Sequence, residues 1–86
     1  MTHNELAGLI AATAQEIFKQ PGLTYAPDTF FRDILGFDSV QAVHFILAIE
    51  AAAGVTINEE DVDDMHTMGN LMEVLLRNQS LAPVQA

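Results

Sequence analysis

Apolar residues recur at Leu6, Leu9, Ile10, Ala14, Ile17 and Phe18, every third or fourth position, and no other feature constrains the fold of this chain so tightly. On a helix of 3.6 residues per turn they form one stripe, with Glu5, Gln15, Glu16 and Lys19 mostly off it. Thr13 is the one polar residue in the stripe, and its methyl group can pack while its hydroxyl bonds a carbonyl one turn back. Thr2 and Glu5 have the spacing of a capping box. Gln20-Pro21-Gly22 ends the pattern, because proline cannot continue a helix and glycine permits a turn. These signals predict a helix over about residues 3 to 19.

Residues 21 to 37 hold Pro21, Gly22, Pro27 and Gly36 and predict a long loop that supplies Leu23, Tyr25, Phe30, Phe31, Ile34 and Leu35 for packing. Asp38-Ser39-Val40-Gln41 reads as a helix start, with Asp38 accepting from free amides and Gln41 reaching back. That helix runs through Ala53 to a stop at Gly54. Val55-Thr56-Ile57 is too short for a sheet, and Asn58 before Glu59, Glu60 and Asp61 predicts a short capped helix. Thr67 caps a last helix whose stripe is Met68, Leu71, Met72, Leu75 and Leu76, with Arg77 near its end. The expected architecture is all-α, with three main helices and one short one. Residues 1–78 form the domain and 79–86 a flexible tail.

A chain of 86 residues, half of them apolar, has material for one modest core and one domain. Twelve acids against Lys19, Arg32 and Arg77 give a net charge of −9, which repels nucleic acid and anionic lipid and attracts basic patches on other proteins. With no cysteine, disulfides and thiolate metal sites are excluded. Met1-Thr2-His3-Asn4-Glu5 is not the basic start of a secretory signal, and no apolar run has the length of a membrane span, so a cytoplasmic monomer is expected.

The second helix has two apolar sides. Ala42, Phe45, Ile46 and Ile49 cluster on one, Val40, Val43 and Leu47 on another with Glu50 beside them. One core needs one side, and the larger Phe45/Ile49 side suits it. That leaves Val40, Val43 and Leu47 exposed beside Ser39, Gln41, His44 and Glu50, and an apolar strip with a polar rim is an interaction surface. The alternative, a helix central enough to bury both sides, still leaves Ser39 at the rim.

The stretch Phe31-Arg32-Asp33-Ile34-Leu35-Gly36-Phe37-Asp38-Ser39-Val40 resembles the attachment site of the acyl carrier proteins, an acid, Leu-Gly, one residue, then Asp-Ser-Leu. The resemblance runs on through Glu50, Gly54-Val55-Thr56-Ile57-Asn58-Glu59-Glu60 and Thr67-Met68-Gly69, most of the chain. It implies a four-helix carrier domain without catalysis of its own. It implies 4′-phosphopantetheine attached to Ser39 by a phosphopantetheinyl transferase, with Asp38 and Gly36 shaping the site. The arm's thiol would then hold acyl groups as thioesters. Partner enzymes that load and transfer those groups, presenting basic or apolar patches, would dock on Val40, Gln41, Val43, His44, Leu47 and Glu50. A serine at a helix N-terminus suits such a phosphodiester, since the helix start offers amides and a positive dipole end.

The sequence departs from the carriers of general fatty-acid synthesis, which have more acids along the second helix. Here Gln41, His44, Ala51 and Ala52 stand in that helix, which implies a specialised member whose docking relies more on apolar contact. The alanines also leave room for a pocket between helices for the carried chain. An aminoacyl or peptidyl carrier shares the same serine and arm, and a bare acidic adaptor shares the charge.

Other chemistries find no support. No Gly-x-Ser-x-Gly elbow is present, and His44 lies about 140° around the helix from Ser39. The acids Glu59, Glu60, Asp61, Asp63 and Asp64 lack the alternating ligands and central glycine of a calcium loop, and read as a solvated face. His66, beside Met65, reads as a turn residue.

Overall fold

The computed structural model describes residues 1–81, with the side chains of 1–79. Helix α1 (His3–Phe18) begins at the expected capping box: the Thr2 hydroxyl accepts from the Glu5 amide at 3.1 Å, and Glu5 accepts from the Thr2 amide at 2.7 Å. These bonds hold the Glu5 carboxyl below its ordinary pKa. Lys19, at φ 55, closes the helix in the left-handed conformation. Leu6, Ile10, Ala14 and Phe18, spaced by four, are the buried face.

Helix α1 packs against α2 (Ser39–Ala53) and α4 (Met68–Leu81), and α3 (Glu59–Asp63) is a short bridge between those two in the chain. Phe45 and Ile49 of α2 and Met68, Leu71 and Leu75 of α4 complete the core. The all-α expectation holds. Among the described residues the sole β-type pairing is an isolated bridge between Phe30 and Thr67.

Three of the anticipated helix ends are built differently. Asn58 stands at the start of α3 without capping it by its side chain. Thr67 does cap α4, and Asn70 returns the bond: Asn70 N donates to Thr67 Oγ1 at 3.0 Å, and Thr67 N donates to Asn70 Oδ1 at 3.1 Å. Asparagine there does what glutamate does in the usual box. Arg77 is not in the last turn of α4, which runs on to Leu81, and instead pairs with Asp61 of α3 at 2.9 Å. The expected tail therefore begins inside a helix. Gln79 accepts from the Met1 ammonium and donates to the Met1 carbonyl, both at 2.7 Å, whereas residues 82–86 lie outside the described residues.

The long loop is fastened at both ends. A turn of 3₁₀-helix, Phe31–Asp33, buries Phe31, and Ile34 follows it into the core. Earlier in the loop, Pro27 O, Thr29 O and Phe31 N bond Gly69 N, Met68 N and His66 O at 3.1, 3.0 and 2.9 Å. Gly69 is required by this approach, because a Cβ there would sit 2.8 Å from the Pro27 carbonyl oxygen. Leu35, expected to pack, is 75 % exposed, since it occupies the outer corner of the next turn.

Candidate functional site

Four aromatic rings set the floor under the start of α2. Phe18 and Phe31 each lie 5.4 Å from Phe45, and Phe37 lies 5.8 Å from Phe18 and 6.4 Å from Phe31. The chain reaches Phe37 through a turn in which Phe37 N donates to Ile34 O at 3.0 Å. Gly36, the third residue of that turn, has φ +90, and a Cβ there would stand 3.3 Å from the Phe18 carbonyl oxygen. Its role is thus to let the backbone turn against the end of α1 and emerge at the surface.

Asp38 then caps α2, its Oδ1 accepting from Gln41 N at 2.8 Å while its carbonyl takes the first intrahelical bond from Ala42 N. Gln41 does not reach back to complete a box; its Oε1 lies 3.2 Å from His44 Nδ1 instead. Ser39 is the first residue of the helix and is exposed, and its hydroxyl has no hydrogen bond among the described residues. The amides of Ser39 and Val40 have no intrahelical acceptor, as at any helix start. A free hydroxyl, two forward-pointing amides and a positive dipole end are a suitable seat for a phosphate ester.

Along α2 the expected strip is open to solvent: Val40 is 62 % exposed, Val43 and Leu47 57 % each. His44 is exposed beside them and Gln41 half-buried. Glu50, expected on this surface, has one carboxylate oxygen engaged elsewhere. It is half-buried, and its Oε2 accepts from Ile57 N at 2.7 Å, tying the segment after α2 back onto the helix. Spacing placed Glu50 with the strip, but the bare Ile57 amide was invisible without the fold.

Two residues missed by periodicity extend the strip. Leu35 projects from the turn before Ser39, and Val62 of α3 faces α2 across a groove of about 350 Å³ that Val43, Ile46, Leu47 and Glu59 also line. A deeper hollow of about 140 Å³ continues from it past Ala42 and Ile46 to Phe37 and Met65. Ala51 and Ala52, expected to shape such a pocket, are exposed and line neither; Ala42 is the alanine that does.

The described residues thus form a small helical domain with an exposed serine at a helix start capped by Asp38, beside an open apolar strip. Residues 8–75 match the family described as the phosphopantetheine attachment site. The acyl carrier protein of Syntrophobacter fumaroxidans (strain DSM 10017 / MPOB) is 32% identical over 54 residues, covering 63% of this chain and 67% of that protein. The solution structure of the holo acyl carrier protein from Geobacter metallireducens superposes with a TM-score of 0.77 over 93% of this chain and 87% of that one, at 15% identity, a likeness of fold. The chain belongs to the acyl carrier family, whose domains bear phosphopantetheine and are carriers without enzymatic activity. Among the described residues no helix is long and apolar enough to cross a membrane, and no cluster of side chains could hold a metal.

Proposed function

We propose that Ser39 is the residue that bears the 4′-phosphopantetheine group, and that the protein presents acyl groups, held as thioesters, to the enzymes of a specialised biosynthetic pathway. The observation that carries this reading is the Ser39 hydroxyl itself, exposed and without a hydrogen bond at the first turn of a helix that its neighbour Asp38 already caps. Because Asp38 satisfies the third amide of the helix, Ser39 is released from the capping task that serines commonly perform there. The Ser39 and Val40 amides would face the phosphate, and the turn at Gly36, close against the end of α1, fixes the approach of the chain to Asp38. When attached, the arm supplies a thiol for the thioester. The strip of Val40, Val43 and Leu47, with Gln41 and His44, is the surface proposed for the transferase and for the loading and transferring enzymes.

A specialised role is supported by what α2 shows to solvent. His44, Ala51 and Ala52 are exposed, non-acidic positions of a helix that carries acids in carriers of general fatty-acid synthesis. Recognition here leans on apolar area.

Intact mass tests the assignment after incubation with coenzyme A, magnesium and a broad-specificity phosphopantetheinyl transferase. Wild type gains one phosphopantetheine and Ser39→Ala gains none while keeping its circular-dichroism melt. A folded wild type that gains nothing with several transferases, or a Ser39→Ala chain that gains as much, overturns it.

A further inference from the structure

Arg32 has no carboxylate within ion-pairing distance among the described residues, although the chain holds twelve acids. Its guanidinium lies instead over the Phe30 ring, 4.9 Å from the centroid. That contact holds it at the rim of a hollow of about 110 Å³, which His66 also lines. The buried side chains of Phe31 and Met65 and the half-buried Phe37 form the floor. The backbone of His66 is fixed, its amide donating to Asn70 Oδ1 at 3.1 Å and its carbonyl accepting from Phe31 N at 2.9 Å. Its ring makes no hydrogen bond among the described residues. A cation without an acid partner and a free imidazole thus share one hollow with an apolar floor.

We infer that this hollow takes the free end of the group carried on the arm, and that it favours an acyl group ending in a carboxylate. This rests on Ser39 as the attachment residue and adds the class of cargo. Phe37 is two residues before Ser39, so their Cα atoms lie within about 7 Å and one wall of the hollow stands beside the point of attachment. The floor suits a carbon chain, and the rim supplies guanidinium and imidazole N–H groups to a carboxylate. The phosphodiester of the arm is a poorer occupant, since the free amides of Ser39 and Val40 serve it and it has no apolar body. A carboxylate free in solution meets the net charge of −9, whereas a tethered one is delivered at an effective concentration on the order of millimolar, where a weak site fills. A wholly apolar chain has the adjoining hollow of Ala42, Phe45 and Ile46 open to it and has no use for Arg32 or His66.

The test loads arm and cargo together onto the full chain, from adipoyl- or hexanoyl-coenzyme A, with a broad-specificity phosphopantetheinyl transferase. The two acyl groups match in length and differ in the terminal carboxylate. Intact mass reads the loading, so a failure of the attachment reading shows as an unloaded chain and is distinct from a failure of this one. Relative to the form bearing the arm alone, the adipoyl form is expected to shift the NMR signals of the Arg32 Nε–H and the His66 ring, and the hexanoyl form to leave them in place. Seating the free end folds the arm onto the protein and shields the thioester. Arg32→Gln should therefore speed hydroxylamine cleavage of the adipoyl thioester about threefold and leave the hexanoyl thioester unchanged. Lys19→Gln, which removes the other cation without an acid partner, should change neither. His66→Ala is a second reading, independent of the Arg32–Phe30 contact, and should speed cleavage in the same direction. The proposal is overturned if the arm alone or the hexanoyl form produces the same shifts, if the adipoyl form produces none, or if Arg32→Gln and Lys19→Gln give equal cleavage rates.

Discussion

Helices α1 and α2 are of similar length, yet the more apolar of the two buries less. In α1, four buried residues recur at one spacing and everything else is half-buried or faces water. In α2 only Phe45 and Ile49 are fully buried, and three of its large apolar side chains stand in solvent. The first helix spends its apolar surface on the fold, and the second divides it between the fold and an outward face. Excess apolarity over what a single stripe requires is what supports the proposed docking role of α2.

The comparison breaks most visibly in the core. Ile10→Ala and Phe45→Ala should each cost about 2–5 kcal/mol in urea unfolding, because both leave a cavity among buried neighbours. Equal losses would show that α2 is as firmly anchored through two residues as α1 is through four. Next is Glu50→Ala, expected to cost about 1–3 kcal/mol by leaving the Ile57 amide unpaired, with little effect on docking. A large docking loss with unchanged stability would return Glu50 to the outward face. Leu47→Ala should alter stability by no more than about 0.5 kcal/mol while weakening partner binding, the reverse of the core pattern. The smallest effect concerns pH. The lowered pKa of Glu5 contributes stability that is present above the unfolded carboxylate value and lost as pH falls through the folded one, so Glu5→Gln should flatten the acid limb of a melting-temperature profile.

Much of this division was legible in the residues themselves. The i, i+4 repeat of α1, its capping box, the cap at Asp38 and the two sides of α2 follow from local spacing and side-chain chemistry, and the family pattern around Ser39 singles out the serine proposed to bear the arm. What escaped depends on contacts distant in the chain. The Glu50 bond was not foreseen because the amide it serves lies seven residues on, across a reversal at Gly54. Leu35 was assigned inward because composition does not tell which corner of a turn a residue occupies. Arg77 was given a place at a helix end, whereas its partner comes from another helix and α4 continues past it. Asn58 and Gln41 had the right chemistry and position for capping, and their side chains do not perform it.

The fastening of residues 27–31 onto residues 66–69 bears on the order in which the molecule is assembled. Closing a loop that joins Phe30 to Thr67 requires the chain between them to exist, and its entropic cost is met only when the start of α4 is in place. A polypeptide still emerging from the ribosome, already long enough to display Ser39, thus lacks the support that sets the preceding segment against the bundle. The segment before Ser39 gains its full support only once the chain through Gly69 has been made.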